Sequence, residues 1–301
     1  MKNYINFKDI KVQSINDLLD KALEYKSGKN SSILSNKTVV LLFEKPSLRT
    51  KLSFWKGIKL HSGEPIYFGP EEIGMGKREP IKDISKVVSR MADIAILRTF
   101  SHSTIEEFSN YSNIPVINAL SDVEHPCQAL GDLLTIYEST SLNFKDIKIT
   151  FIGDGNNVAL SLSHAILSLG VKFVICTPKE FGFGKTDITK TEQLVKKYGG
   201  SFHIESSPEK AVENSNIIYT DVWASMGQEK EISKRKIIFK NFQVNEKLLS
   251  ISPEALFMHD LPAHPGEEIS ENLLEHPQSI VFDQAENRVW SQVSLLDQLF
   301  L

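Results

Sequence analysis

From about residue 37 to the C-terminus, short continuous apolar runs alternate with stretches whose apolar residues recur every three or four positions. An uninterrupted apolar run suits a strand covered on both faces, and the three-and-four spacing suits a helix lying against it. The alternation therefore predicts an α/β fold with mostly parallel sheets. The predicted strands are Thr38 to Glu44, Ile94 to Thr99, Pro115 to Ala119, Lys148 to Asp154, Lys172 to Pro178, Ser201 to Ser206, Asn216 to Trp223, Ala255 to Pro262 and Ser279 to Asp283. Helices fit between them at roughly 50–61, 103–112, 126–140, 157–170, 190–199, 208–214 and 286–300. The polar stretch from Ser139 to Asp146 interrupts this rhythm, so the chain is divided near residue 140 into domains 1–140 and 141–285. The periodicity leaves open which domain the last helix, 286–301, joins.

Composition narrows the function. With 301 residues, 41% hydrophobic and 24% charged, the chain has the make-up of an ordinary globular protein and the length for two modest domains. A cleft in such a protein is a common small-molecule site, which makes an enzyme the first hypothesis. Thirty-four basic against thirty-eight acidic residues give a net charge of −4, so there is no positive excess to displace counterions from nucleic acid. The two cysteines, Cys127 and Cys176, form no CxxC pair and no disulfide framework, which fits a reducing cytoplasm. The start, MKNYINFKDIKV, lacks an apolar leader, and no run approaches the ~18 residues of a membrane span.

Candidate chemistry gathers where predicted strands feed helices. After the first strand comes Lys45-Pro46-Ser47-Leu48-Arg49-Thr50, which sets two hydroxyls and a guanidinium at a helix start. Unpaired N–H groups and the helix dipole favour an anion there, although Ser47 alone would serve equally as a cap. Arg98 ends a strand, and His125 and Gln128 share the first turn of the next long helix. Together they supply donors to a polarising carbonyl oxygen and an acceptor for an amide. Gly153-Asp154-Gly155-Asn156-Asn157 follows a strand but lacks the third glycine of a dinucleotide fingerprint, and Asn157 reads equally as a carboxylate ligand. GFGKT at 182–186 fails as a phosphate loop because Lys179 stands where its leading glycine belongs. Asp221 and Ser225 end another strand and suit an ammonium group. His259, Asp260, His264, Glu267 and Glu268 crowd one segment, yet their spacing is not HExxH and no metal is assigned. Arg288 opens the last helix.

In order, FEKPSLRT, LRTF, HPCQALGDLLTIYE, FIGDGNN, YTDVWASMGQE, MHDLPAH and FDQAENR resemble the ornithine carbamoyltransferases, from about residue 40 to the C-terminus. SxRT and HPxQ are shared with the aspartate enzymes, whereas DxxxSMG matches the ornithine branch. The resemblance implies a first domain for carbamoyl phosphate, to which the last helix returns, and a second for L-ornithine. It also implies a homotrimer or a multiple of one, and no metal or redox cofactor. Position by position, it implies that Ser47, Leu48, Arg49 and Thr50 bind phosphate, that Arg98, His125 and Gln128 hold the carbamoyl group, and that Arg288 closes over the same ligand. Asn157, Asp221, Ser225 and Met226 would grip ornithine, and Asp260 and Leu261 would lie beside the carbamoyl group. The loop Gly74 to Glu79 would reach a neighbouring subunit, with Gly74 where many relatives carry Gln and with Lys77 or Arg78 as substitutes.

On that reading the neutral δ-amine attacks the carbamoyl carbon, and charge grows on the carbonyl oxygen and the departing phosphate. Thr50, Arg98 and His125 would face the first, and Ser47 and Arg49 the second; one preorganised donor is worth ~3–4 kcal/mol in the barrier. The main departure is HDLP where the family reads HCLP, together with Pro265 where relatives carry Arg. An ionised Asp260 would either favour the unreactive ammonium or act as general base. A related amine substrate such as putrescine or an acylated ornithine, a nucleotide-dependent oxidoreductase, and a catalytically impaired carbamoyl-phosphate-binding homologue are the competing readings.

Overall fold

A computed structural model describes residues 2–141, 143–144, 146–225 and 227–300. In chain order its strands and α-helices are α1 (Ile15–Lys26), β1 (Thr38–Phe43), α2 (Leu48–Leu60), β2 (Glu64–Phe68), α3 (Pro70–Ile73), α4 (Ile81–Met91), β3 (Ile94–Arg98), α5 (His102–Tyr111), β4 (Val116–Leu120), α6 (Pro126–Ser139), β5 (Lys148–Ile152), α7 (Asn157–Ser168), β6 (Lys172–Cys176), α8 (Lys185–Tyr198), β7 (Ser201–Glu205), α9 (Pro208–Val212), β8 (Ile217–Thr220), α10 (Ile232–Phe239), α11 (Glu246–Leu249), β9 (Leu256–His259) and α12 (Val281–Phe300). The chain forms two compact units, residues 1–134 with 286–301 and residues 135–285.

The first unit is built on a parallel sheet in the order β2-β1-β3-β4. Its central strands β1 and β3 are apolar almost throughout and buried, as expected of strands covered on both faces. The sequence reading missed β2. Its run EPIYF is short and carries Pro65, which a sheet tolerates at an edge because the missing N–H faces away from the ladder. Helix α1 was also unanticipated, although Ile15, Leu18, Leu19, Ala22 and Tyr25 lie on one buried face.

The C-terminal stretch of α12 packs within this first unit. Ser294 Oγ donates to the carbonyl of Leu18 at 2.7 Å, Lys21 pairs with Asp297, and the buried His61 ring lies 2.7 Å from the carbonyl of Val293. Tyr25, Val289 and Val293 close a small apolar cluster, with the edge of Tyr25 against His61.

The second unit carries a parallel sheet in the order β7-β6-β5-β8-β9. The predicted strand at 279–283 is corrected. Only Ser279 bridges to Phe257, held by Phe257 N–H to Gln278 O (2.7 Å) and Ile280 N–H to Phe257 O (3.0 Å), and the chain turns helical at Val281. The apolar run of a helix start had been taken for a buried strand, an ambiguity inherent in short runs. Among the described residues no helix is long and apolar enough to cross a membrane.

A buried ion pair fixes the loops at the carboxyl ends of β5 and β8. Arg235 Nη1 on α10 donates to Asp154 Oδ2 and to the carbonyl of Trp223, each at 2.8 Å, while its Nε reaches Glu231 at 2.9 Å. Burial pushes the Asp154 carboxyl up to about 6, with Arg235 opposing. Removing one partner of a buried pair leaves the other charge uncompensated, at about 3–5 kcal/mol. Arg235→Ala should therefore lower the urea stability of this unit by that order. Loss of under 1 kcal/mol would show that the pair is not a pin.

Candidate active site

The first unit gathers positive charge at the carboxyl end of its sheet. β1 delivers Lys45 to Arg49 to the start of α2, where Ser47 is the N-cap in an extended conformation and its Oγ accepts the N–H of Thr50 at 3.2 Å. Capping and anion binding are thus compatible here, because the hydroxyl accepts from the helix and keeps its proton to donate. Arg98, the last residue of β3, is paired in register with Phe43 and is almost fully buried. Its carbonyl accepts the N–H of Glu44 at 2.8 Å, which ties the two strand ends together.

Arg288 on α12 donates through Nη2 to Thr50 Oγ1 at 2.8 Å. Helix α6 comes close enough to make this possible at Gly131, where an added Cβ would stand 3.0 Å from Arg288 Cγ. One turn earlier on α6, the Gln128 N–H donates to the His125 carbonyl at 3.0 Å, and its side chain donates through Nε2 to Asp132 at 2.9 Å. The Gln128 side-chain oxygen is buried and, among the described residues, has no hydrogen-bond partner, so an amide N–H donor is the group it lacks.

The electrostatics agree with that convergence. His125 is buried, and burial, followed by the charges of Arg288, Arg98, Arg49 and Lys45, holds its imidazole well below the usual range. The ring is therefore neutral at pH 7 and carries one N–H donor. Burial and Arg98 likewise lower Lys45, whose ammonium sits 4.6 Å from the centre of the Phe100 ring. Four cations bearing on one neutral imidazole define a place for a multiply charged anion. Cys127, two residues after His125, donates to the carbonyl of Asn118, and burial pushes its thiol up to about 12.

The second unit gathers carboxylates. Asn156 caps α7, accepting the N–H groups of Val158 and Ala159 at 3.0 Å each, and its Nδ2 donates to Asp221 Oδ2 at 2.6 Å. Asp221 Oδ1 accepts the N–H of Val222 at 2.7 Å, so both of its oxygens are fixed just past β8. At the end of β9, Asp260 Oδ1 lies 3.6 Å from His259 Nδ1, and one ligand atom from each of Asp221, His259 and Asp260 falls within 4.8 Å of the others. His259 Nδ1 accepts the N–H of Leu261 at 2.9 Å, which places its proton on Nε2, 3.2 Å from the fully buried Glu268.

The structure thus joins Thr50 with Arg288, and sets His125 among Arg49, Arg98 and Arg288 with Gln128 one turn on. Leu48 is 74% exposed, so only its backbone is suited to the anion. Asn157 opens α7, and Ser225 lies on a turn in which its N–H donates to Gln228 at 2.9 Å. Met226 lies outside the described residues. Gly74 takes φ +53° at the end of α3, and an added Cβ would stand 2.9 Å from Arg78 Cβ, so the turn itself requires glycine. Lys77 and Arg78 on that turn are exposed. Sequence reasoning overlooked Lys45, Asn156, His259 and Glu268 as participants. Of these, Asn156 was legible as the N-cap residue of α7.

These two clusters on two parallel sheets are those of a carbamoyltransferase. Residues 2–138 match the carbamoyl-P binding domain of aspartate/ornithine carbamoyltransferase and residues 145–299 its Asp/Orn binding domain, and the chain belongs to that family. It is 41% identical over 304 residues to the ornithine carbamoyltransferase of Archaeoglobus fulgidus, covering 99% of this chain and 97% of that one. The anabolic ornithine carbamoyltransferase of Pyrococcus furiosus is 42% identical over 272 residues, 90% of this chain and 86% of its own. The solved ornithine carbamoyltransferase structure from Pyrococcus furiosus superposes with a TM-score of 0.94 at 40% identity, covering 98% of this chain and 96% of that one. The anabolic enzyme of Campylobacter jejuni also gives 0.94, at 32% identity and 99% coverage of both chains.

The neutral state of His125 has a consequence for stability. An unfolded histidine takes up a proton near pH ~6.5, and the folded one does so only at lower pH. This contribution is complete above that value and is lost as the pH falls through it. The urea midpoint should therefore drop between pH 7.5 and 5.5, and drop less in His125→Gln; equal drops would clear His125 of the effect.

Proposed function

We propose that this protein transfers the carbamoyl group of carbamoyl phosphate to the δ-amine of L-ornithine, giving L-citrulline and phosphate. The observation that carries the reading is the neutral His125 set among Lys45, Arg49, Arg98 and Arg288. A doubly charged acyl phosphate brings negative charge to this set, and its carbamoyl NH₂ supplies the donor for Gln128 Oε1. Residues 1–140 with the last helix serve as the carbamoyl-phosphate domain and residues 141–285 as the ornithine domain.

In this reading Ser47, Leu48 and Arg49 hold the phosphate, the Leu48 contact being made through the backbone. Thr50, Arg98 and the His125 N–H face the carbonyl oxygen, and Arg288 bears on the same ligand. As the amine adds to the carbonyl carbon, electron density moves to that oxygen and then into the C–O bond that releases phosphate. Fixed donors facing both oxygens stabilise the charge where it develops, and holding the two reactants together removes much of the entropic barrier. Asp221, held by Asn156 and Val222, pairs with the α-ammonium of ornithine, with Asn157 and Ser225 beside it and Met226 assigned from the sequence alone. An acylated α-nitrogen carries no charge for Asp221 to meet, which disfavours the acylated substrate. Leu261, whose N–H donates to His259, is assigned to the carbamoyl group from the sequence alone. We further assign the chain to cytoplasmic arginine synthesis as a homotrimer in which the turn Gly74 to Glu79 approaches a neighbouring copy through Lys77 or Arg78.

A citrulline colour assay with ornithine, putrescine and N-acetylornithine tests the activity. Product should form with ornithine alone, and Arg98→Ala should lower kcat by about 10²–10³. No product with any of the three amines would favour a silent binding protein. Light scattering should return about three times the 33.9 kDa chain mass; a monomer would remove the shared-site assignment of the Gly74 turn.

A further inference from the structure

Resting on the carbamoyl-transfer reading above, we propose that residues Asn3 to Phe7 form a strap that sets His125 against the carbamoyl group, with Tyr4 as the positioning residue. The motifs that carry the family resemblance begin near residue 40, so this segment lies outside them.

The strap joins the first unit beside β4. Tyr4 makes a parallel bridge to Ile117: its N–H donates to the Val116 carbonyl at 2.8 Å, and its carbonyl accepts the Asn118 N–H at 2.7 Å. Asn3 Oδ1 accepts the Val116 N–H at 3.0 Å, and Asn118 Nδ2 donates to the Ile5 carbonyl at 2.8 Å. Asp9 Oδ2 holds the bend that follows, accepting the N–H groups of Ile5 at 2.8 Å and of Asn6 at 2.9 Å. The backbone bonds at position 4 would form with any residue but proline, so they do not account for a tyrosine there.

Two further bonds leave the sheet and bracket His125. Before it, the Phe7 N–H donates to Oε2 of the buried Glu124 at 2.9 Å; after it, the Tyr4 hydroxyl donates to the Pro126 carbonyl at 3.0 Å. The intervening turn is closed on itself, since the Ser121 N–H donates to the Glu124 carbonyl at 2.9 Å and Ser121 Oγ accepts the Glu124 N–H at 3.2 Å. Cys127 then returns to β4 through its bond to the Asn118 carbonyl. Tyr4 is fully buried. Burial, and after it the neighbouring Cys127, Glu124 and Asp9, push its phenol well above the usual range, so the hydroxyl keeps its proton and serves as a donor.

Helix α6 begins at Pro126, so the hydroxyl acts on the first peptide of that helix, one residue past His125. A neutral imidazole has one N–H to offer, and a hydrogen bond weakens steeply once its donor is misdirected. Displacement of a reacting group by about 1 Å can cost about 10² in rate. None of these strap bonds reaches Ser47 to Arg49 on the loop after β1 and the start of α2, which hold the phosphate in this reading. Losing the Tyr4 bond should therefore be felt by the carbamoyl group and not by phosphate.

Tyr4→Phe keeps the ring and removes only the hydroxyl. In calorimetric titrations at 25 °C, it should raise the Kd for carbamoyl phosphate about tenfold and leave that for inorganic phosphate within about twofold. The kcat for citrulline formation should fall about tenfold. Ser85→Ala removes a comparable buried bond of the same unit, Ser85 Oγ to the Phe108 carbonyl at 2.7 Å between α4 and α5, and should leave all three values within about twofold. In a His125→Gln background, adding Tyr4→Phe should change the Kd for carbamoyl phosphate by no more than about twofold, because the group it positions is gone. The inference is overturned by unchanged affinities in Tyr4→Phe, by equal losses for the two anions, by equal effects of Ser85→Ala, or by an undiminished tenfold effect without His125. A native enzyme that binds carbamoyl phosphate and forms no citrulline would strike the transfer reading, while the two affinities still decide the role of the strap.

Discussion

Mutual repulsion among clustered cations is the constraint around which the first unit is organised. Lys45, Arg49, Arg98 and Arg288 arrive from a loop, a helix start, a strand end and the last helix, and all bear on the same imidazole. None of these positions is stabilising by charge alone, since like charges held in a poorly solvated place oppose the fold. What holds them is the sheet and its flanking helices: the β1–β3 register at Arg98, the N-cap at Ser47, and the approach of α6 to α12 at Gly131. The apolar framework thus holds these like charges close to one another.

The second unit solves the opposite problem with the same architecture. Its parallel sheet also ends in loops that hold charged groups, but here the groups are carboxylates, with Asn156 donating to Asp221 and His259 Nε2 facing Glu268. The two units thus gather opposite signs at their strand ends. Two sheets of like topology thus present opposite fields, and the difference resides in side chains at strand ends rather than in the fold.

What could be read from the sequence was whatever chemistry is local. Ser47 to Thr50 and His125 to Gln128 each occupy one turn, so their spacing alone shows that their groups share a face, and Arg98 and Asp221 stand at the ends of unmistakable apolar runs. Partnerships made through folding were invisible: Lys45 with Phe100, Thr50 with Arg288, and Asn156 with Asp221 are separated by tens to hundreds of positions. The misplaced strand at 279–283 and the missed β2 share a cause. A short run reveals neither its neighbours nor its depth, and only those decide between a helix start, an edge strand and a central one.

Both thiols of the chain are held out of chemistry. Cys127 and Cys176 are buried, with protonation pushed to about 12, so neither presents a thiolate at neutral pH. Carboxylates gather at the end of β9 instead. A catalyst furnished in this way has little to lose to peroxides, alkylating agents or soft heavy-metal ions, and can keep working after a burst of oxidant that would silence a sulfur-dependent counterpart.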